Sequence, residues 1–139
     1  EVITLKLPYS LLCSIFLGLS LSGCQLISPI FVDYNGVRMD VAKWINSKTL
    51  LNMQQKRSLV QLSKAQQEIN GFSKLSDSER LAVAKENAVA MHCANLHLSQ
   101  KKIQQLQLQI FGEDKEQVLK EYQQLAPMIK LDKKSIQCD

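Results

Sequence analysis

An apolar run near the start of the chain divides this sequence into two parts. The run extends from Leu11 to Leu21, follows a single lysine at Lys6, and ends in Ser22 and Gly23 before Cys24. A charged start, an apolar middle and small residues before a cut site are the pattern of a secretory signal peptide. The sequence after Cys24 is amphipathic. The pattern therefore predicts an exported protein whose fold is built from the part that follows the run.

Three other interpretations of the run are weaker. A bilayer span needs about 20 apolar residues, and the stretch from Leu7 to Leu21 is shorter and contains Pro8 and several serines. A core helix would place a near-uniform apolar segment at the start of a chain that is amphipathic elsewhere. An ordinary signal peptide with a chance cysteine is disfavoured, because Ser22 and Gly23 stand directly before Cys24.

The four residues Leu21-Ser22-Gly23-Cys24 form a lipobox, and residues 1–24 closely resemble the signal peptide of bacterial lipoproteins. The resemblance implies cleavage between Gly23 and Cys24, diacylation of the Cys24 thiol and acylation of the new amino terminus, with palmitate as a typical acyl group. Several acyl chains make a stable anchor, because each buried methylene contributes about 0.8 kcal/mol. In Gram-negative lipoproteins aspartate after the cysteine favours inner-membrane retention. In a Gram-negative host, Gln25 at this position implies the outer membrane, facing the periplasm.

These features predict three segments. Residues 1–23 are a cleaved signal peptide, residues 24–36 a lipidated anchor and tether, and residues 37–139 a helical periplasmic domain. The tether contains Ile30, Phe31, Val32 and Tyr34, which we expect to dock on the domain or to pack at the membrane interface. Trp44, the only tryptophan, is either a core anchor or part of an exposed partner patch. Phe31, Tyr34 and Trp44 are therefore the candidate partner-binding residues.

The four cysteines lead to a disulfide prediction. Cys13 leaves with the signal peptide and Cys24 is lipidated, so Cys93 and Cys138 remain in an oxidising compartment. We predict that they form a disulfide. The alternative is a metal site made of Cys93, His97 and Cys138, which lacks a clear fourth ligand. We therefore predict no metal and no cofactor.

The spacing of apolar residues predicts an all-α fold, a small bundle of about four to five helices. The expected helices cover about 37–46, 49–70, 77–97, 99–111 and 114–126. Ser76-Asp77-Ser78-Glu79 is a capping box at the start of the third helix, Ser99 can cap the fourth, and Gly112 stops it. The alternation over residues 106–110 leaves a strand as a minor alternative to helix.

Apolar stripes predict which faces are buried. In the second helix Leu59, Leu62 and Ile69 share one face, and the polar residues Lys56, Arg57 and Lys64 with several glutamines are expected on the solvent side. In the third helix two neighbouring stripes predict a broad apolar surface, made of Leu81, Ala84, Ala88 and Met91 together with Val89, Cys93 and Leu96.

The sequence contains no motif that indicates catalysis. It has no P-loop, no dinucleotide-binding glycine loop, no zinc-protease helix and no nucleophile elbow. Its paired acids, such as Asp77 with Glu79 and Glu113 with Asp114, stand at helix starts, where capping explains them. The formal net charge of +4 is dispersed among acids, and export excludes nucleic acid as a partner. We therefore predict no catalytic residues and a protein that is not an enzyme.

A membrane-anchored binding function remains the leading hypothesis. We expect an adaptor or envelope assembly factor that is anchored in the lipid bilayer through acylated Cys24 and binds an envelope protein. The chain resembles the helical secretin pilotins in being a small lipoprotein with a helical bundle and a disulfide, although no pilotin motif matches residue by residue. The alternatives are a cell-wall-active enzyme or an inhibitor of one, and a purely structural envelope lipoprotein.

Overall fold

The computed structural model describes residues 34–139, and these residues form an all-α bundle without strands. The predicted signal peptide and most of the predicted tether lie outside the described residues. The bundle confirms the predicted fold class. Its helices are α1 (Met39–Asn46), α2 (Met53–Gln67), α3 (Asp77–His97), α4 (Gln100–Phe111) and α5 (Lys115–Leu125), with short 3-10 turns at Phe72–Lys74 and Gly112–Asp114.

Helix α2 is the centre of the bundle. It packs most extensively against α3 and also contacts α1 and α4. Helix α5 packs on α4 and on the 3-10 turn at Phe72–Lys74, where the Phe72 and Tyr122 rings meet edge to face with centroids 4.9 Å apart. The predicted apolar face is buried as expected, with Leu59 and Leu62 on α2 and Ile69, just after its end, each at most 1% exposed.

Side-chain caps fix the start of three helices. Ser76 and Glu79 form the predicted capping box of α3, and Ser99 accepts from the Lys102 backbone at α4. The predicted start of α2 near residue 49 is wrong. The helix starts after Asn52, whose side chain forms a capping box with Gln55. Helix α1 begins two residues later than predicted, after a turn closed by the Val37 N–H and the Tyr34 carbonyl.

Of the two glycines next to the predicted helix ends, Gly112 ends a helix and Gly71 does not. Helix α4 continues through residues 106–110, which confirms helix over strand, and it stops as predicted at Gly112. Gly112 has a φ of +60°, a backbone conformation that residues with a Cβ rarely adopt. Helix α2 ends at Gln67, earlier than predicted, and the left-handed Gly71 instead begins the following 3-10 turn.

Several predictions of burial were wrong. Lys56 and Gln66, expected in solvent, are only 1% and 2% exposed, whereas Leu81 and Leu96 are 39% and 61% exposed. Ala84 and Cys93 are buried as predicted, but the other buried residues of α3 include the small Ala90 and Ala94, which lay outside the predicted stripes. Small side chains let two helices approach closely, so this face, rather than the leucine-bearing one, lies against its neighbours.

Residues 34–139 contain no helix with the length and apolarity that crossing a membrane requires.

Candidate functional site

The predicted lipidation and cleavage residues, Cys24 and Gly23, lie outside the described residues, and so does Phe31. Tyr34 is described and packs, half-buried, against the core. Burial raises the pKa of its hydroxyl, and its Oη atom has no hydrogen-bond partner within residues 34–139. This contact agrees with docking of Tyr34 on the domain.

Trp44 also packs, half-buried, against the core. Its ring lies 4.6 Å from the Lys48 Nζ atom, a cation–π distance, and its carbonyl accepts a hydrogen bond from the Ser47 hydroxyl. Trp44 is therefore held in place by neighbours on the chain. A partner-binding role for Phe31, Tyr34 and Trp44 stays a prediction.

Cys93 and Cys138 form the predicted disulfide, with their Cα atoms 5.5 Å apart. The bond attaches the C-terminal tail to α3. The tail also contacts α2, where Gln54 Nε2 donates to the Asp139 carbonyl at 2.7 Å and Gln61 Oε1 accepts from the Asp139 N–H at 3.5 Å. Both sulfurs are used in the bond, so Cys93 and Cys138 cannot be thiolate ligands beside His97. Within the described part of the chain, no three His, Cys, Asp or Glu side chains are grouped to hold a metal.

A groove of about 330 Å³ lies between α2 and α3. Its buried lining includes Ala65 and Ala90, while Lys85 and Glu86 are exposed. The groove therefore combines small apolar side chains with a charged rim. Its lining residues are Gln61, Lys64, Ala65, Lys85, Glu86, Val89 and Ala90.

Both described ends of the chain lie close to this groove. The segment that follows Tyr34 is held on α2 by Gln67, whose Nε2 donates to the Gly36 carbonyl and whose Oε1 accepts from the Arg38 N–H, each at 2.8 Å. Gln67 is one helical turn from Lys64 on the groove rim. At the other side, Gln61 on the rim contacts the C-terminal Asp139. The groove is therefore near the point where an N-terminal anchor would join the domain.

A second, smaller cavity of about 240 Å³ is lined by uncharged side chains from α2, α3, α4 and α5. Hydrogen bonds join three of its lining side chains in a row. Gln66 Nε2 donates to Asn87 Oδ1 at 3.0 Å, and Asn87 Nδ2 donates to the Tyr122 hydroxyl at 3.1 Å. The complete lining is Gln66, Asn87, Met91, Gln107, Leu119, Tyr122 and Gln123.

This row of hydrogen bonds ends in an unsatisfied atom. Gln66 is 2% exposed, and its Oε1 atom has no hydrogen-bond partner within the described residues. A buried acceptor left without a donor costs about 1–3 kcal/mol. Sequence reasoning missed the cavity, although the signal was present. Gln66 stands in the core spacing of Leu62 and Ile69, and a polar residue at such a position needs a partner.

Among residues 34–139, two carboxyl groups have shifted pKa values, and both shifts are downward. Hydrogen bonding to the Arg38 guanidinium lowers the pKa of Asp40 to about 2. Hydrogen bonds from the Ser76 backbone and hydroxyl lower the pKa of Glu79. A general acid at neutral pH needs the opposite, a raised pKa. Both carboxylates therefore have structural roles. Asp40 pairs with Arg38 at the start of α1, and Glu79 belongs to the capping box of α3.

No protein-family model, curated protein or solved structure matches this chain. A functional proposal therefore rests on the chemistry of the described residues and on the signal-peptide pattern.

Proposed function

We propose that the chain is an outer-membrane lipoprotein, anchored through acylated Cys24 and facing the periplasm, whose helical part is a non-enzymatic binding module. It acts as an adaptor or assembly factor for an envelope protein. The lipobox at Leu21–Cys24 supports the anchor. The α2–α3 groove supports the binding role and is the observation that carries it, because it offers apolar surface beside charges of known sign.

The groove suits a short apolar segment. Its volume of about 330 Å³ is at the lower end of the roughly 300–1,000 Å³ that is usual for binding pockets. Ala65 and Ala90 are small, so a side chain entering between α2 and α3 can approach the two helices closely. Val89, which is half-buried, supplies apolar contact area beside them. A few apolar side chains of a partner would fill this space.

The charges of the rim define the partner further. Lys64 and Lys85 face a single acid, Glu86, around the groove. An excess of positive charge attracts a segment with acidic residues beside its apolar face. We therefore propose that the occupant is an amphipathic helix of another envelope protein, with acidic residues flanking its apolar stripe. A membrane anchor at the same side of the domain would raise the local concentration of the groove near such a protein.

Palmitate labelling of growing Gram-negative cells tests the anchor. The chain should incorporate labelled palmitate and fractionate with the outer membrane, and the Cys24→Ser variant should lose both properties. Cys13→Ser is the matched control, since that cysteine leaves with the signal peptide, and it should label normally. Labelling that persists in Cys24→Ser would overturn the lipoprotein assignment.

Photo-crosslinking in cells tests the groove. A photoreactive amino acid at Val89 should crosslink one envelope protein, through a peptide that has an apolar stripe and flanking acids. The same probe at Leu108, which is 57% exposed on α4, is the control and should not crosslink that protein. Lys85→Glu should weaken the Val89 crosslink, because it reverses a rim charge. Equal crosslinking from both positions, or none from Val89, would contradict a groove-binding partner.

A further inference from the structure

We propose that one end of the bundle, which we call the basic end, docks on the surface of an anionic phospholipid bilayer. The basic end consists of the end of α1, the turn over residues 47–51, the start of α2, the end of α3 and the start of α4. The inference does not rest on acylation or on the α2–α3 groove, whose lining lies elsewhere on these two helices. It rests on a separation of charge and on exposed apolar side chains at the same end.

Hydrogen bonds bring the segments of the basic end together. Lys56 Nζ donates to the Asn46 carbonyl at 3.4 Å, which joins the start of α2 to the end of α1. Gln55 Nε2 donates to the His97 carbonyl at 3.3 Å, which joins α2 to the end of α3. Helix α4 begins just afterwards, at Gln100, and it also contacts α1. Side chains from all these segments therefore face the same surroundings.

The basic end carries an excess of positive charge. No Asp or Glu occurs in residues 41–67 or 87–112, the two stretches that contain its segments. The tail brings one acid, Asp139, to Gln54 on α2. The predicted dispersal of positive charge among acids therefore does not hold here, because the fold groups segments that lack acids. The lysines at this end are Lys43 in the last turn of α1, Lys48 in the turn that follows, and Lys101 and Lys102 in the first turn of α4.

Apolar side chains project from the same end. Leu50 is 98% exposed, Leu96 at the end of α3 is 61% exposed, and Met53, the first residue of α2, is 36% exposed. Leu50 has almost no contact with its own domain, so only a partner can bury it. Trp44 is half-buried in the last turn of α1, and the Lys48 Nζ atom lies 4.6 Å from its ring. Leucine, tryptophan and lysine side chains together are typical of helices that lie in a bilayer interface.

A bilayer fits this surface better than an acidic protein does. The core of a protein interface is depleted of lysine. At a membrane, by contrast, the long lysine side chain keeps its ammonium group among the headgroups while apolar neighbours insert. Each lysine close to an anionic surface strengthens binding about fivefold. The lysines and exposed apolar side chains of the basic end therefore act in the same direction on an anionic bilayer.

The basic end is also within reach of the predicted anchor. Gln67 holds Gly36 and Arg38 at the opposite end of α2. This helix has 15 residues and is therefore about 22 Å long. The chain between Cys24 and Tyr34 can span at most about 33 Å. The basic end can therefore lie on the same bilayer that would hold an acylated Cys24.

Quenching of Trp44 fluorescence by brominated phospholipids tests the proposal, because the chain has one tryptophan. The full chain is reconstituted into vesicles of phosphatidylcholine alone, or of equal parts of phosphatidylcholine and phosphatidylglycerol. Fluorescence is read on vesicle-bound protein with and without bromine in the acyl chains, so the mode of anchoring does not affect the comparison. We expect quenching to be about twofold stronger or more in the anionic vesicles. Salt at about 1 M, where the screening length is about 3 Å, should remove most of this difference. Equal quenching in both kinds of vesicle would overturn the proposal.

Variants assign the quenching to the basic end. In anionic vesicles Leu50→Ser should lose most of it, and Lys101→Glu should weaken it because the variant reverses a charge. Leu108→Ser and Lys74→Glu make the same changes at exposed positions outside the basic end, and they should be quenched like the parent chain. Equal effects of the test and control variants would also overturn the proposal.

A photoreactive amino acid at Leu50 distinguishes lipid from protein as the partner. In cells it should crosslink to phospholipid. Crosslinking to an acidic protein instead, or no crosslinking to lipid, would refute docking on a bilayer. Palmitate labelling and the Val89 crosslink are separate measurements, so a failure of this inference is distinguishable from a failure of the proposed function.

Discussion

The polar side chains of Lys56 and Gln66 are buried inside the bundle. Lys56 is 1% exposed, and burial lowers its pKa. Its Nζ atom donates to the Asn46 carbonyl at 3.4 Å, at the negative end of the α1 dipole. A sequence pattern assigns lysine and glutamine to solvent by default, so the burial of Lys56 and Gln66 was missed. Their spacing from Leu59 and Leu62 was the available signal, because it places them on the apolar face.

Removing the Tyr122 hydroxyl should destabilise the fold. Tyr122→Phe keeps the ring contact with Phe72 but leaves Asn87 Nδ2 without its acceptor. We expect the free energy of unfolding to fall by about 1 kcal/mol, measured by urea denaturation. Tyr34→Phe is the control, because the Tyr34 hydroxyl has no partner within residues 34–139, and its stability should not fall. Equal losses in the two variants would refute the role of the Asn87–Tyr122 hydrogen bond.

The ionised Asp40 carboxylate should make a small contribution to the free energy of unfolding that is lost in acid. It holds Arg38, whose Nη1 also donates to the Ile110 carbonyl at the end of α4. Its pKa is about 2 in the folded state, against an ordinary 3.8. The contribution is therefore complete above about pH 4 and is lost as the pH falls towards 2. It should stay below about 1 kcal/mol, because the pair is exposed.

The Asp40→Asn variant tests this contribution. Urea unfolding between about pH 2 and pH 6 should show a shallower acid-induced loss of stability than in the parent chain. Asp114→Asn is the control, since the Asp114 side chain makes no capping hydrogen bond, and its profile should follow the parent. An unchanged acid slope in Asp40→Asn would show that the Arg38–Asp40 pair does not stabilise the fold.

At the scale of helices, the sequence predicted helix ends that depend on nearby residues, but not buried faces that depend on neighbouring helices. The Ser76 capping box and the Gly112 stop depend on residues within one turn of the helix end, so the sequence alone was sufficient to predict them. The sequence predicted a start of α2 near residue 49, but a turn over residues 48–51 comes first and the helix is capped by Asn52. The buried face of α3 depends on how closely α2 approaches, which periodicity does not reveal.

The cap at Asn52 is expected to be needed for α2. Asn52→Ala removes the side-chain acceptor of the Gln55 N–H, and should lower the free energy of unfolding by about 1 kcal/mol. Asn70→Ala, at an exposed position after α2, should have a smaller effect. Thermal unfolding followed by circular dichroism measures both. If Asn70→Ala is the more damaging change, the assigned start of α2 is wrong.

At the scale of the whole molecule, both described ends of the chain are fastened to α2. Gln67 binds the segment at Gly36 and Arg38, and Gln54 and Gln61 bind the C-terminal Asp139. The disulfide adds a covalent link to α3. The count of cysteines predicted this link, because the signal-peptide and lipobox predictions assign Cys13 and Cys24 to other roles and leave Cys93 and Cys138 as a pair. The α2–α3 groove and most of the lining of the cavity at Gln66 were not predictable, since each depends on how side chains from more than one helix come together.

Breaking the disulfide should have the largest effect on stability. Cys93 and Cys138 are 45 residues apart, and closing a loop of that length stabilises a fold by about 4 kcal/mol in the chain-entropy model. Cys138→Ser should lose most of this stability and free the tail from Gln54 and Gln61. Urea unfolding with and without reductant measures the loss, and reductant should change the parent but not the variant. Equal stability of the two proteins without reductant would contradict the prediction.

The central claim is that the membrane anchor and the α2–α3 groove act together in binding one envelope partner. The most direct measurement is the yield of the Val89 photo-crosslink in cells that make either the parent chain or its Cys24→Ser variant at equal level. We expect one partner to be crosslinked by the parent and the yield to fall strongly in Cys24→Ser, because the groove is no longer held at the membrane. An equal yield from both forms, or no specific partner from either, would contradict the claim.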